Sequence, residues 1–369
     1  MQFFRFLPFL LAFVSSLSAQ SVFVSPSGSD TNSGASNAPV RTFMRAAELA
    51  RDNNITSVIF AGGDYLFEET AVLDPSFNGI TFQAAAGEKP VFSSLKKVIN
   101  WSVFKGNILV ASLPEGIGHV RYLQDKSEGW MERSATFSFS TDEPAGGEDD
   151  GCIECNSYTE TTQEDLSNIR FPQTFQEIDW KRIEQYDLRA NTLPWHMEVL
   201  PLESIDIRNR RLYTAIPALY DLRRDFNEPR PNAWILNTLE GIDEPGEWAC
   251  LDGKIYLYPK SGTEDIYVPV LTELIRLDNG IIDGNSNFSA AVRDIVFDGI
   301  TFTGGDFRIM KEDDITVQHD WMVVDEPDAL LRIRNASNIK VRNCHFIKTG
   351  GTGLRLDRFA QQIEIDNNI

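Results

Sequence analysis

The sequence predicts an all-β fold of the parallel β-helix kind, and two recurring lines carry that prediction. The first runs through the last hundred residues as Leu274-Ile275-Arg276-Leu277, Phe307-Arg308-Ile309, Leu331-Arg332-Ile333 and Leu354-Arg355-Leu356. The second follows the last three at a nearly fixed lag, as Asp314-Ile315-Thr316-Val317, Asn338-Ile339-Lys340-Val341 and Gln362-Ile363-Glu364-Ile365. Ile315, Ile339 and Ile363 stand 24 residues apart, and Arg308, Arg332 and Arg355 stand 24 and 23 apart. Each line alternates like a half-buried strand and is too short to bury its apolar side alone. Such a repeat hides that side by stacking on the next coil. The spacing therefore predicts that the three arginine lines pair in parallel, with Ile309, Ile333 and Leu356 facing one core.

Composition narrows the partners. With 54 acidic against 34 basic residues the formal net charge is -20, which excludes the basic footprint that nucleic acid and anionic membrane require. The 25 Gly and 17 Pro suit a turn-rich β architecture. At the N-terminus, Arg5, the apolar run from Leu7 to Val14 and the small residues up to Ala19 read as a signal peptide over 1–19. That run is too short to span a bilayer, for which ~20 residues are needed. The mature protein is expected to be secreted or periplasmic, so its four cysteines meet conditions that permit disulfides. Cys152 and Cys155 form a lone CxxC in an acidic loop; without a second close pair they read as structural or spare thiols rather than as a zinc site, and no metal or other cofactor is expected.

Residues 20–99 read as an N-terminal cap and the first coils. A strand at VFVSP leads through a Gly/Ser/Asn-rich turn to a helix from about Thr42 to Asp52, with Thr42 as N-cap and Phe43, Ala46, Ala47 and Ala50 at helical spacing. Strands follow at SVIFAGGDY, FNGITFQAA and PVFSSL. A helix placed there covers an edge that would otherwise invite aggregation.

These residues, SVFVSPSGSDTNSGASNAPVRTFMRAAELA with SVIFAGGDY and AGEKPVFSS, resemble the start of exported right-handed parallel β-helix proteins, many of which act on polysaccharides. Trp234 to Pro259 and the later coils are similar to β-helix glycoside hydrolases of the fucosidase and xylanase kind, the DEPGEW stretch being the most specific piece. The resemblance implies an exported carbohydrate-active protein with a polysaccharide or oligosaccharide as partner. It leaves the sugar and the oligomeric state open.

Residues 100–237 break the coil pattern and read as an inserted β-rich subdomain. It carries Trp101, Trp130, Trp180, Trp195 and Trp234, an acidic Gly-rich loop at DEPAGGEDDGCIEC, and two strands turning at Arg208-Asn209-Arg210. Its tryptophans either stack on sugar rings or staple the subdomain to the coils. Residues 238–369 read as further coils, incomplete at the C-terminus: the pattern is intact at Ile369, and the amides from Gln361 onward are expected to exchange with solvent faster than those of Ile333 and Val341.

Glycoside hydrolysis by the usual route needs two carboxyl groups, which stacked coils can bring together. Asp314, Asp320, Asp357 and Asp366 are the candidates on the coils. Asp320 and Asp357 are taken as the catalytic pair, with His319, Trp321, Arg332 and Arg355 as substrate-binding residues. At QHDW an acid, an imidazole and a stacking ring meet in one bend; the competing reading is a loop whose Asp and His cap backbone groups. Asp357 ends its arginine line as Asp278 ends the first, so strand-end work is its competing reading. The stacked arginines require an answer to their charge, either acidic neighbours or an anionic glycan such as a uronate polymer. The alternatives to a hydrolase are a polysaccharide lyase acting on a uronate-containing glycan, with acidic residues on Ca²⁺ and an Arg or Lys as base, and a non-catalytic glycan-binding β-helix.

Overall fold

A computed structural model describes residues 21–127, 129–139, 166–172, 175, 178–193, 196–218, 222, 233–281, 290–307 and 328–369. It is built mainly from strands, and three ladders of parallel strands enclose one apolar core. The first ladder stacks Ala71–Leu73, Ile275–Leu277, the start of Ala329–Arg342 and the start of Thr352–Asp366. A second stacks Ser21–Val24, Ser57–Phe60, Thr81–Ala84 and Val296–Asp298, followed by the far halves of the same two long strands. The third stacks Gly63–Leu66, Pro90–Ser93, Thr301–Thr303 and His345–Phe346.

Alternation along each strand becomes columns across the stack. Val22, Val58, Phe82, Phe297, Val341 and Ile365 occupy one register position, and all but the last are fully buried. The neighbouring outward column reads Ser21, Ser57, Thr81, Val296, Lys340 and Glu364, and its last two close an ion pair at 2.6 Å. Leu356 and Ile365, on the last described strand, are 42% and 49% exposed.

Between faces the backbone turns through the left-handed region at repeating places. Asp294, Asn338 and Gln362 have φ near 61°, 53° and 54°; Asn343 and Asn367 have φ near 54° and 51°. Asn and Asp tolerate that conformation best after Gly, because their short polar side chains bond locally. Here they also bond along the stack: Asn367 Nδ2 donates to Asn343 Oδ1 at 2.7 Å, and Asn343 Nδ2 to Asp298 Oδ1 at 2.7 Å. The 23- and 24-residue spacings have one origin. Arg334 pairs with Asp357, but Ala336 pairs with Ala360, so the last strand gains one residue at its bend.

The helix Phe43–Asp52 begins as its sequence predicts. Thr42 accepts from the backbone of Arg45, and Phe43, Ala46, Ala47 and Ala50 are the buried positions. Phe43 lies over Phe60, Phe67, Phe82 and Phe92 at 4.8–6.0 Å between ring centres. Between Leu95 and Pro269 the pairing is almost wholly antiparallel, the short Glu132–Arg133 strand beside Glu247–Leu251 being parallel, and it builds three further sheets. One of them contains the hairpin predicted at Arg208-Asn209-Arg210, with Asp206 accepting from Asn209 and Arg210 left-handed at φ 54°.

The described tryptophans of this region are packed rather than presented. Trp101 donates to Val98, Trp180 packs on Phe171 and donates to Phe175, and Trp234 lies under the Arg189 guanidinium at 4.2 Å. Trp195, the side chain of Trp130, the signal segment 1–19 and the Cys152-Cys155 loop lie outside the described residues. Cys250 and Cys344 are free and buried, and burial pushes both thiols up to about 11.

Phe92 is fully buried and meets the rings of Phe43, Phe60, Tyr65, Phe67 and Phe302. Phe92→Ala should lower the unfolding free energy by ~3–5 kcal/mol, read from the urea midpoint, because a ring-sized cavity in so dense a cluster cannot collapse. A loss below ~1 kcal/mol would mean that this cluster is not the core the stack depends on.

Candidate functional site

The first ladder carries the charged column. Arg276, Arg332 and Arg355 are register partners, with Val72 completing the column, while Ile275 and Leu277 point inward beside Leu331 and Ile333. Arg276 pairs directly with Arg332, which corrects the order read from the spacing. The Ile275–Leu277 strand has two edges, and Ala71–Leu73 and Ala329–Arg342 take both. No edge remains for the Phe307-Arg308-Ile309 line, although its 24-residue distance from Arg332 matches the repeat; Arg308 and Ile309 themselves lie outside the described residues.

Stacked like charges are unfavourable unless answered, and here carboxyl groups are interleaved with them. Arg332, 1% exposed, donates through Nε to Asp357 Oδ2 at 2.8 Å, and its Nη2 lies 2.7 Å from the same oxygen. Arg355 brings Nε to 3.3 Å from that oxygen and donates through Nη1 to Asp328 Oδ1 at 2.6 Å. Asp278 lies 3.8 Å from Arg276 Nε and 3.4 Å from Arg334 Nε. Acidic neighbours thus answer the arginines.

Glu273 differs from these acids. Its side chain is 1% exposed, with Oε1 3.2 Å from Arg276 Nη1 and Oε2 3.8 Å from Arg332 Nη1, yet neither oxygen has a hydrogen-bond partner among the described residues. Burial pushes its carboxyl up to about 7; the charges of Asp328 and Asp357 add to that, and Arg276 and Arg332 oppose it. The local cause is its place at the start of a coil. Its carbonyl accepts from the Thr70 hydroxyl at 2.8 Å, and Leu274 next to it is fully buried, which fixes the backbone and turns the carboxyl into the ladder.

Of the residues expected from sequence, the structure therefore brings together Asp357, Arg332 and Arg355. Asp320, His319 and Trp321 lie outside the described residues. Glu273 and Asp328 were not singled out by the sequence reading. A signal for Glu273 existed: its register equivalents on the next two strands of the ladder are Ala329 and Thr352, so a charge there breaks the repeat. One guanidinium, that of Arg332, reaches both Glu273 and Asp357, which keeps their carboxyl oxygens within about 9 Å, below the upper limit for glycosidase pairs. Around this closed centre, Arg276, Asp328 and Arg355 form a rim that is 27%, 23% and 15% exposed.

No protein-family model matches the sequence, and no curated protein matches it. Among solved structures, a glycoside hydrolase aligns over 91% of this chain and 63% of its own, at 20% identity and a TM-score of 0.64. At that identity the likeness is one of fold, and the chain spans 63% of the length of that structure. A complex of XylC with xylose and a capsular-saccharide-bound tailspike of Acinetobacter baumannii bacteriophage AP22 are matched over 95% and 89% of this chain. Both are 10% identical, and their TM-scores of 0.30 and 0.15 carry no weight.

The Glu273 carboxyl makes stability depend on pH in a stated direction. Its folded value of about 7 exceeds the ordinary value near 4.5, so the folded chain keeps a proton that the unfolded chain has lost between those pH values. Its contribution is intact below the lower value and falls away as pH rises through the upper one, by roughly 3 kcal/mol in all. Urea unfolding of the wild type and Glu273→Gln across this window should show the difference between them changing by that order in favour of the variant at high pH. Parallel pH profiles would rule out the raised carboxyl.

Proposed function

We propose that the complete protein is an exported hydrolase of glycosidic bonds in a plant- or algal-type polysaccharide, built on a right-handed parallel β-helix. In this reading residues 1–19 direct export, and the antiparallel unit between Leu95 and Pro269 is the inserted subdomain. The three parallel ladders and the fold shared with a glycoside hydrolase support it. The observation that carries it is the pairing of two differently placed carboxyl groups around Arg332. The Glu273 carboxyl is buried, has no hydrogen-bond partner among the described residues and is pushed up to about 7, which suits a proton donor that must hold its proton near neutral pH. Asp357 accepts hydrogen bonds from a guanidinium and so suits the charged partner, either activating water or attacking the sugar. The partly open rim of Arg276, Asp328 and Arg355 is where a glycan approaches. Asp320 remains a candidate catalytic carboxyl group, and His319 and Trp321 remain candidates for contacts with the sugar.

The test is product analysis on a panel of plant and algal polysaccharides. New reducing ends without unsaturated sugars, unaffected by a chelator, are expected. Glu273→Gln should lower kcat by about 10²–10⁴-fold with KM changed far less. Ultraviolet-absorbing unsaturated ends that disappear with a chelator would instead establish the lyase. Full activity in Glu273→Gln would remove Glu273 from the chemistry.

A further inference from the structure

A second polar cluster lies where the antiparallel unit meets the stack. The backbone N–H of Arg121 donates to Asp306 Oδ1 at 2.9 Å, and the backbone N–H of Asp306 donates to Leu271 at 2.9 Å, two residues before Glu273. Behind this contact Asp187, 1% exposed, serves two guanidiniums at once. Arg133 Nη2 donates to its Oδ2 at 2.7 Å, while Arg121 Nε stands 3.4 Å from the same oxygen without hydrogen-bond geometry.

The donors here outnumber the acceptors. Each guanidinium carries five N–H groups in a planar fork shaped for an oxyanion. The Nε atoms of Arg121 and Arg133 and the Nε2 of His119 are buried and have no hydrogen-bond partner among the described residues. Buried polar atoms are seldom left so, and three in one place need a reason. Arg121 is 24% exposed, so its fork has a way out to a ligand.

We propose that Arg121 and Arg133, with Asp306 beside them, form a subsite for an anionic group on a sugar, a uronate carboxylate or a sulfate ester. The inference rests on the carbohydrate reading above and names the substrate class. Arg121 supplies the fork at the surface, Asp187 holds Arg133 behind it, and the contact of Arg121 with Asp306 places the bound sugar alongside the Glu273 coil.

The charges facing the subsite fix its response to pH. Burial pushes the Asp306 carboxyl up to about 6, against the opposing hydrogen bonds from Arg121 and Phe307 and the charges of Arg121 and Arg133. Burial, with the charges of the same two arginines, holds the His119 imidazole down at about 4 against the pull of Asp187, so it adds no charge near neutrality. The Cys250 thiol, at about 11, adds none either. A protonated Asp306 removes one negative charge from beside the guanidiniums, and anion affinity therefore rises as pH falls through about 6.

Calorimetric titration of the full chain with an oligogalacturonate, a sulfated galactan oligomer and a neutral xylo-oligosaccharide of equal length tests this, below and above the Asp306 midpoint. At the lower pH one acidic oligomer should bind at least about tenfold more tightly than the neutral one, and which of them does so separates uronate from sulfate. Arg121→Gln, which keeps the backbone bond to Asp306, should abolish the preference by weakening the acidic oligomer far more than the neutral one. Arg121→Lys should keep only part of it, because an ammonium lacks the fork. Asp306→Asn should carry the preference up to the higher pH. Neutral binding without a preference, or a preference that survives Arg121→Gln, would show the cluster to be a structural clamp and leave the hydrolase reading standing. Failure of all three oligomers to bind would overturn both.

Discussion

A strand of three or four residues cannot bury its own apolar side, and the parallel ladders answer that constraint. The Ile275–Leu277 and Val296–Asp298 strands have three inward positions between them, Ile275, Leu277 and Phe297, too few to hold a fold. They are held because a parallel register partner lies on either edge, so each of these strands depends on its neighbours in the ladder. The demand on sequence is narrow: an apolar residue must recur at the same register position on coil after coil. The column from Val22 to Ile365 meets it across residues hundreds of positions apart. Outward positions have no such demand, and the ladder is free to carry chemistry there.

That freedom has an electrostatic limit. Stacking repeats whatever it is given, so an arginine at one outward position becomes a column of like charges. The column is viable because Asp328, Asp278 and Glu273 reach into it from strand ends, and Asp357 from beside the bend of the last strand, where it pairs with Arg334. One of these acids is less well served than the rest. Asp357 meets guanidinium nitrogens at hydrogen-bond distance, whereas Glu273 meets them at 3.2 and 3.8 Å without a hydrogen bond. Burial then outweighs the attraction and drives that carboxyl toward its neutral form. A buried carboxyl raised by desolvation beside specific charges is a functional-site candidate on physical grounds.

Where spacing and inward pattern agreed, the fold was legible in the sequence. Ile339 pairs with Ile363, and Arg332 with Arg355, as their spacing requires. The helix was legible to the residue, because an N-cap threonine and an alanine-lined face leave few alternatives. The Arg308 line misled because a three-residue motif matches a repeat easily, and nothing in the sequence says which edges of Ile275–Leu277 are already taken. Of the site, Asp357, Arg332 and Arg355 were legible through repetition. Arg121, Arg133, Asp187 and Asp306 were not, since they come from unrelated segments that meet only through tertiary contact. A repeat reveals what it repeats and is silent about single residues.

Glu273 shows why that silence falls where it does. The chain leaves the stack after Ser94 and comes back at Val270, and one hydroxyl ties the exit to the return. Ser94 Oγ donates to Gly304 at 2.7 Å and accepts from the backbone of Val270 and Leu271 at 3.3 and 3.2 Å. Glu273 follows that clamp by two residues and precedes the first strand of the re-entering coil. Its position is set by the junction rather than by the repeat, so it is released from the repeat's composition, and its equivalents Ala329 and Thr352 carry no charge. The same junction puts Leu271 against Asp306, and Asp306 against Arg121. The antiparallel segment between Leu95 and Pro269 therefore does more than add mass: where the chain returns from it to the parallel ladders, non-repeating positions stand beside a repeating charged column.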